Sequence, residues 1–190
     1  MNQDAYYDDI EMNLWEAART GDIDLLDMRI HYGDIIDVED DYGWTPLLHA
    51  CTHGHLNMVK WLLDRGVKLI TDKDHGWRAL FYASAGGHFD IVKLLFERAA
   101  RLIKLYNWDV AALKGACFGD NADIVHMLIE LGVDVTELRG YTFSAKIKSL
   151  VEDSGRIRAR YLLKLWRAAL PIWRITNFWW KVAGEGQHAP

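Results

Sequence analysis

The sequence predicts an all-α fold: a solenoid of stacked helix-turn-helix units, followed by a basic, tryptophan-rich helical extension at the C-terminus. A pattern of 33 residues recurs four times along the chain. Each copy holds two runs with apolar residues at helical spacing, separated by turn signals. The last 37 residues then change abruptly in charge and in tryptophan content.

The repeat is clearest between residues 41–66 and residues 74–99. DYGWTPLLHACTHGHLNMVKWLLDRG lies over DHGWRALFYASAGGHFDIVKLLFERA without a gap, at an offset of 33. A further step of 33, and a step backwards, each bring six positions into register: Leu113, Ala116, Ile124, Val125, Leu128 and Gly132, and Leu14, Ala17, Gly21, Leu26, Ile30 and Gly33. The pattern predicts a repeat domain over residues 1–153, with repeats near 8–40, 41–73, 74–106 and 107–139 and a partial cap at 140–153.

Each unit has the same physical plan. An Asp-x-Gly turn precedes a short apolar helix with small residues at its centre, and Gly-His or an equivalent makes a tight turn. A second amphipathic helix follows, as in Val59, Leu62 and Leu63, and a glycine such as Gly66 ends it. One such pair cannot bury its apolar face alone, so neighbouring units must stack.

The second copy resembles the ankyrin repeat. It reads Gly43-Trp-Thr45-Pro46-Leu47-Leu48-His49-Ala50, then Gly54-His55, Met58-Val59 and Leu62-Leu63, close to the family pattern G-x-T-P-L-x-x-A, G-H, I-V and L-L. The resemblance covers roughly residues 8–139 and implies a stack of four to five such repeats.

The other copies depart from this pattern. The first lacks the turn and the Thr-Pro pair. The third has Arg78-Ala79 in place of Thr-Pro, and Ala99 where Gly66 stands in the second. The fourth has residues 107–110, Asn-Trp-Asp-Val, in place of the glycine turn, and a weak fifth copy begins at Gly140. Atypical end repeats are expected, because one of their faces meets solvent.

The stretch HACTHGH, residues 49–55, looks at first like a set of metal ligands. One period later the chain reads YASAGGH, so only the Gly-His pair recurs. The resemblance implies that this histidine bonds to backbone at the turn between helices. His49 and His53 are four residues apart on one helix, His55 lies beyond the turn, and no fourth ligand is near. We therefore expect structural or surface histidines, with no metal site and no cofactor.

No catalytic constellation is recognisable. The sequence has no phosphate-binding loop, nucleophile elbow, HExxH motif or dinucleotide fingerprint. Cys51 and Cys117 occupy equivalent positions two repeats apart with Ser84 between them, which favours a small-residue packing position over a nucleophile. The sequence therefore predicts a protein without enzymatic activity.

Charge and cysteine content set the expected compartment and partners. Residues 1–153 carry 15 Lys or Arg and 26 Asp or Glu, a net charge of −11, whereas residues 154–190 carry seven and one, a net of +6. Two cysteines make no disulfide framework, the N-terminus has no signal-like pattern, and no run of about 18 apolar residues occurs. A cytoplasmic location is expected.

Ankyrin-like repeats usually bind proteins through their turn tips and the inner surface of their first helices, and the resemblance implies the same here. Reading these positions off the repeat gives a row of candidates at the tips: Tyr42, Trp44, His75, Trp77 and Trp108. Tryptophan and tyrosine are enriched among interface hot spots. Alternatively, Trp44 and Trp77 pack on neighbouring tips and stiffen them. Further candidates lie on the first helices: Arg19, Thr52, His53 and Phe118.

The C-terminal extension, residues 154–190, is the unusual part. Residues 156–170 are amphipathic at helical period, with Arg156, Arg160, Lys164 and Arg167 on one stripe, and Pro171 should end this helix. Residues 172–182 are dense in tryptophan. The predicted contact residues of the extension are Arg160, Lys164, Trp166, Arg167, Trp173, Arg174, Phe178, Trp179 and Trp180.

Several interpretations of the extension remain open. Its helix can be the last helix of the cap, and its aromatic residues can fold back or dock elsewhere. A protein partner is preferred, followed by a membrane interface and then nucleic acid, since the acidic repeats would repel both anionic surfaces. The sequence thus predicts a non-catalytic adaptor or a subunit of a larger assembly, with one or more protein partners. A peripheral membrane or nucleic-acid binder is the alternative.

Overall fold

The computed structural model describes residues 14–31, 35–67, 75–138 and 141–165. Over these ranges the chain is all-helical, without a strand, which confirms the predicted fold class. Helix α1 covers residues 14–20. The following helices are α2 (Ile23–His31), α3 (Pro46–His53), α4 (Leu56–Asp64), α5 (His75–Ala85), α6 (Phe89–Tyr106), α7 (Trp108–Phe118) and α8 (Ala122–Glu130). A 3₁₀ helix (Val135–Leu138) leads to α9 (Ala145–Glu152), and α10 covers residues 154–165.

The second helices of the four units keep the period of the sequence. They begin at Ile23, Leu56, Phe89 and Ala122, so that each starts 33 residues after the one before. The predicted period of 33 is therefore confirmed by the backbone. This regularity matters for the surface, because residues 33 apart occupy the same place on successive units.

The units stack in two layers. The first helices α3, α5 and α7 pack side by side, and the second helices α4, α6 and α8 form the layer behind them. Residues at equivalent positions are buried in every unit: Leu47, Leu80 and Leu113; Ala50, Ala83 and Ala116; Val59, Val92 and Val125; Leu62, Leu95 and Leu128. The alanines at the centre of the first helices let neighbouring units approach closely, and the branched residues of the second helices fill the space between the layers.

A row of side chains ties each unit to the one before it. The Nε2 atom of His55 donates to the Arg19 carbonyl oxygen at 2.8 Å, and that of His88 donates to the Thr52 carbonyl oxygen at 2.9 Å. At the same position in the fourth unit, Asn121 Nδ2 donates to the Ser84 and Ala85 carbonyl oxygens at 2.8 and 2.9 Å. The prediction that the Gly-His histidines bond to backbone is confirmed.

The third unit departs from the others where its second helix should end. Gly66 and Gly132, at equivalent positions, have φ values of 80° and 82° and lie just beyond α4 and α8. Ala99 stands at that position in the third unit, and a side chain disfavours this left-handed conformation. Ala99 instead adopts φ −126° and ψ 18°, and α6 continues beyond it to Tyr106. Asn107, with φ 55°, then joins α6 directly to α7, so no hairpin tip separates the third and fourth units.

The first helices of the third and fourth units also begin early. Helix α3 begins at Pro46, capped by Thr45, whose side chain accepts a hydrogen bond from the Leu48 N–H at 3.3 Å. Helices α5 and α7 already include His75 and Trp108, four residues earlier in the repeat. Neither has the Thr-Pro pair that fixes the start of α3.

The C-terminal helix α10 lies against the repeats on one side. Ile157 packs partly buried against the core, and Tyr161 lines a hollow between α6 and α8. The predicted boundary between residues 153 and 154 stays a prediction. Among the residues described, no helix is long and apolar enough to cross a membrane.

Candidate functional site

Five aromatic side chains from three successive units form one connected cluster, called here the aromatic strip: Trp44, Trp77, Phe81, Tyr82 and Phe118. The ring centroids of Trp44 and Tyr82 lie 4.8 Å apart, and those of Tyr82 and Phe81 lie 5.4 Å apart. From Phe81, the strip branches to Trp77 at 6.3 Å and to Phe118 at 6.4 Å. These separations lie within the range of favourable aromatic pairs.

The strip presents a large apolar area to solvent. Phe118 is 83% exposed and Trp77 is 36% exposed, while Trp44, Phe81 and Tyr82 are partly buried. Exposed aromatic residues that adjoin one another are typical of surfaces that bind a partner, because they can bury much area with little loss of side-chain entropy. The strip is therefore the strongest candidate binding surface in the described part of the chain.

Two glycines, one within α7 and one directly after it, bring the halves of the strip together. A Cβ atom added to Gly115 would lie 2.3 Å from the Phe81 carbonyl oxygen, and one added to Gly119 would lie 2.0 Å from the Ala85 carbonyl oxygen. Because neither glycine has a side chain, α7 lies directly against the backbone of α5. This close packing places the ring of Phe118 beside that of Phe81.

The Trp44 end of the strip is fixed by a tight turn. Asp40 Oδ1 accepts hydrogen bonds from the N–H groups of Tyr42 at 2.9 Å and Trp44 at 2.8 Å. Arg78, from the next unit, donates to the Gly43 carbonyl oxygen at 2.8 Å, and its guanidinium lies 5.2 Å from the Trp44 ring centroid. Arg78 stands at the repeat position that Thr45 occupies in the second unit. Its hydrogen bond attaches the third unit to the turn of the second unit.

Each histidine of the HACTHGH stretch has a partner within the protein. The Nε2 atom of His49 lies 3.0 Å from Asp40 Oδ2, and its ring lies 5.3 Å from that of Trp44. The Nδ1 atom of His53 lies 2.9 Å from the His49 carbonyl oxygen, and His55 bonds to backbone as described above. Across the described ranges, no three residues of ligand type are grouped for a metal ion. These contacts give the three histidines structural roles.

Both cysteines are free and buried. Burial raises the pKa of the Cys51 thiol to about 12. Burial, with the nearby negative charge of Asp120, raises the pKa of the Cys117 thiol to about 11. Since the thiolate is the nucleophile, both side chains are unreactive at neutral pH and act as small packing groups.

The Asp40 turn leads to a pH prediction. Burial alone would raise the pKa of the Asp40 carboxyl, but the Trp44 N–H, the His49 ring and the Tyr42 N–H together lower it below its usual value. A lowered pKa contributes stability above the unfolded pKa of about 4, and this contribution is lost as the pH falls through the folded value. Asp40→Asn should therefore lower the free energy of unfolding by about 1 kcal/mol near neutral pH, and this deficit should become smaller below about pH 4. Urea unfolding of both proteins across this range checks it, and a deficit that does not change with pH would contradict it.

The residues predicted at the tips occupy different environments. Tyr42 is 84% exposed in the Asp40 turn, and Trp44 is partly buried within the strip. Trp77 belongs to the strip but lies in α5, not in a tip loop. His75 is the first residue of α5, and its side chain lies outside the described part of the structure.

The placement of Trp108 at an exposed tip is wrong. Trp108 is only 7% exposed, because the direct junction of α6 and α7 puts it in the first turn of a helix. A Cβ atom on Gly76 would lie 2.2 Å from its ring, so Trp108 fills the space that this glycine leaves on α5. The Trp108 ring also stacks on Tyr106 with a centroid separation of 5.3 Å.

The other predicted residues are placed as follows. Arg19 forms an ion pair with Glu16, and Thr52 donates to the Leu48 carbonyl oxygen at 2.8 Å. Arg160 and Lys164 are exposed on α10. The remaining predicted contact residues of the extension lie outside the described residues: Trp166, Arg167, Trp173, Arg174, Phe178, Trp179 and Trp180.

Sequence reasoning missed Phe81, Tyr82 and Arg78. Phe81 and Tyr82 align with Leu48 and His49 of the second unit. Leu48 is buried, whereas Phe81 is only partly buried and contributes to the strip. The available signal was the pair of adjacent aromatic residues at a place where the second unit has one aliphatic residue and one polar residue.

Comparison with known proteins identifies the repeat. Residues 14–107 match the family model of ankyrin repeats, in three copies. These residues belong to the ankyrin-repeat family. The fourth helix pair, α7 and α8, lies beyond the match, yet its second helix keeps the 33-residue register of the ankyrin repeats before it.

The similarity to three curated proteins covers a short stretch of this chain. The chain is 39% identical over 54 residues to glycerophosphocholine phosphodiesterase GDE1 of Candida albicans. It is 43% identical over 51 residues to "Ankyrin repeat, SAM and basic leucine zipper domain-containing protein 1" of Atelerix albiventris, and 41% identical to that of Mus musculus. These stretches make up 27–28% of this chain, but only 5% of the first relative and 11% of the other two. The similarity is therefore one of repeats.

Proposed function

We propose that this ankyrin-repeat chain is a non-catalytic adaptor, or a subunit of a larger assembly, that binds a protein partner through the aromatic strip. Ankyrin repeats generally mediate protein–protein interaction. The observation that carries the proposal is the strip itself, in which three units contribute touching rings and Phe118 remains 83% exposed. Tyr42, exposed in the Asp40 turn, extends this surface toward the tips.

The chemistry of the strip suggests an apolar anchor on the partner. Beside the strip lies a hollow of about 540 Å³, lined by Trp77, Phe81, Tyr106, Asn107, Trp108, Val110, Ala111 and Lys114. A large apolar side chain of the partner would enter it and stack against Phe81. Around this anchor, the net charge of −11 on residues 1–153 favours a basic surface, which would speed association and sharpen specificity.

The C-terminal extension would provide a second contact surface, and a reducing, intracellular compartment suits the chain. The two buried, free thiols support that location. The extension has the opposite charge to the repeats, so the two surfaces would select different targets.

The binding proposal is tested with the full chain as bait in native extract, with captured proteins identified by mass spectrometry. Phe118→Ala should weaken retention of a specific partner at least tenfold, because an interface aromatic residue that acts as a hot spot contributes about 2 kcal/mol or more. Leu105→Ala, on α6, is the matched control, since Leu105 is also a largely exposed apolar residue outside the strip. A partner retained equally by the Phe118 variant and the wild type would contradict the proposal.

A further inference from the structure

The apolar contacts of helix α10 with the repeats lie along one stripe. Of its residues, Ile157 packs partly buried against the core, and Tyr161 lines the hollow between α6 and α8 together with Phe89 and Leu131. Ile157 and Tyr161 are four residues apart, so they lie on the same side of the helix. This stripe fixes which side of α10 faces away from the solenoid.

The side that faces away is apolar and uncovered. Leu162 and Leu163 lie on this side and are 54% and 53% exposed, whereas Leu165, four residues after Tyr161, continues the stripe and is 49% exposed. Because a helix turns about 100° per residue, Leu162 and Leu163 point roughly 120–140° away from the Ile157–Tyr161 stripe. Exposing leucines this close together to water is energetically unfavourable. Such a patch is typical of a surface that binds another molecule or a membrane.

The charged residues of α10 are all cationic. Residues 154–165 contain Arg156, Arg158, Arg160 and Lys164 and no acidic residue. Arg156 contacts Asp153 at 3.1 Å, and Arg158 lies against Gly132 at the end of α8. Arg160 and Lys164 are exposed and have no ion pair within the described ranges. Arg160 borders Leu163 on the helix surface, so cations flank the apolar face.

We propose that α10 binds the surface of an anionic phospholipid membrane. Leu162 and Leu163 would enter the boundary between headgroups and acyl chains, while Arg160 beside Leu163 contacts headgroup phosphates. A helix with leucines on one face and only cations beside them is the pattern of interfacial membrane helices. The sequence that follows contains Trp166, Trp173, Trp179 and Trp180, a residue type enriched at membrane interfaces.

An anionic membrane would attract the basic extension and repel the acidic repeats. Residues 154–190 carry a net charge of +6 and residues 1–153 a net charge of −11. This opposition would orient the chain with α10 toward the anionic surface and the repeats away from it. Since α10 packs behind α6 and α8, whereas most of the strip lies on α5 and α7, the chain could hold a protein partner and a membrane at once.

The test is flotation of the full chain with vesicles of phosphatidylcholine alone or mixed with phosphatidylserine. We expect binding to the mixed vesicles, weak binding to phosphatidylcholine alone, and weaker binding as the salt concentration rises. Arg160→Gln should weaken binding about fivefold, since a cation near an anionic membrane contributes about that factor. Leu162→Glu with Leu163→Glu should abolish binding.

Matched variants separate lipid binding from other effects. Leu105→Glu, at an exposed leucine of α6, should bind vesicles as the wild type does. Phe118→Ala should also bind normally, which separates this proposal from that of the strip. Thermal unfolding of each variant confirms that it is folded. Equal binding to both vesicle types, or full binding by the double leucine variant, would overturn the proposal. So would light scattering that shows α10 joining two copies of the chain without lipid.

Discussion

Gly115→Ala should lower the free energy of unfolding by about 3 kcal/mol. The new methyl group would lie 2.3 Å from the Phe81 carbonyl oxygen, and this obstacle is backbone that no side-chain rotation can remove. Helices α5 and α7 would have to move apart, and the buried apolar residues between them would lose contact. Chemical denaturation monitored by circular dichroism measures the change.

Gly155→Ala is the matched control for this substitution. Gly155 lies in α10, and a Cβ atom there would meet nothing within 4 Å. Alanine favours helix over glycine, so this variant should be neutral or more stable by up to about 1 kcal/mol. If Gly115→Ala and Gly155→Ala both unfold at the same denaturant concentration as the wild type, α5 and α7 do not pack as closely as described. The same Gly115 variant should also weaken partner binding, because Phe118 and Phe81 would separate.

Trp108→Ala should lower the free energy of unfolding by about 3–5 kcal/mol. Phe118→Ala should change it by no more than about 0.5 kcal/mol. Both residues lie on α7, but Trp108 is buried against Gly76 and Phe118 projects into solvent. Removing the indole leaves a cavity that the helices cannot close. The two variants compared by urea unfolding give the measurement.

The Trp108 and Phe118 variants also test the structure against the alignment of the repeats. The alignment places Trp108 at a tip that meets a partner, so it predicts a small loss of stability and a loss of binding. The structure predicts the reverse order of stability effects for Trp108 and Phe118. Equal and small losses of stability in both variants would contradict the direct junction of α6 and α7.

The stacking of the helices was predictable from the sequence because it depends on residues that recur. The 33-residue spacing of Leu62, Leu95 and Leu128 fixes one face of each second helix, and all three are buried. The Gly-His pairs likewise keep one role at His55 and His88. Such positions repeat because every unit meets the same neighbour in the same way.

What the sequence could not predict lies where a unit differs from its neighbours. The sequence shows that Ala99 stands where the second unit has Gly66. It does not show whether the helix would then adopt a strained backbone, end at this position or continue. The structure shows a kinked helix that continues to Tyr106, and this shift buries Trp108. The aromatic strip was only partly predicted, because the contacts of Phe81 come from Trp77 on its own helix and from Phe118 on the next unit.

The bonds between units have a direction with a consequence for synthesis of the chain. In each case the later unit supplies the donor, as His55, His88 and Asn121 do, and the earlier unit supplies a carbonyl oxygen. A chain that leaves the ribosome from its N-terminus therefore presents the acceptors first. Each newly synthesised unit can dock on the folded unit before it. The solenoid can therefore fold one unit at a time, while later residues are still in the exit tunnel.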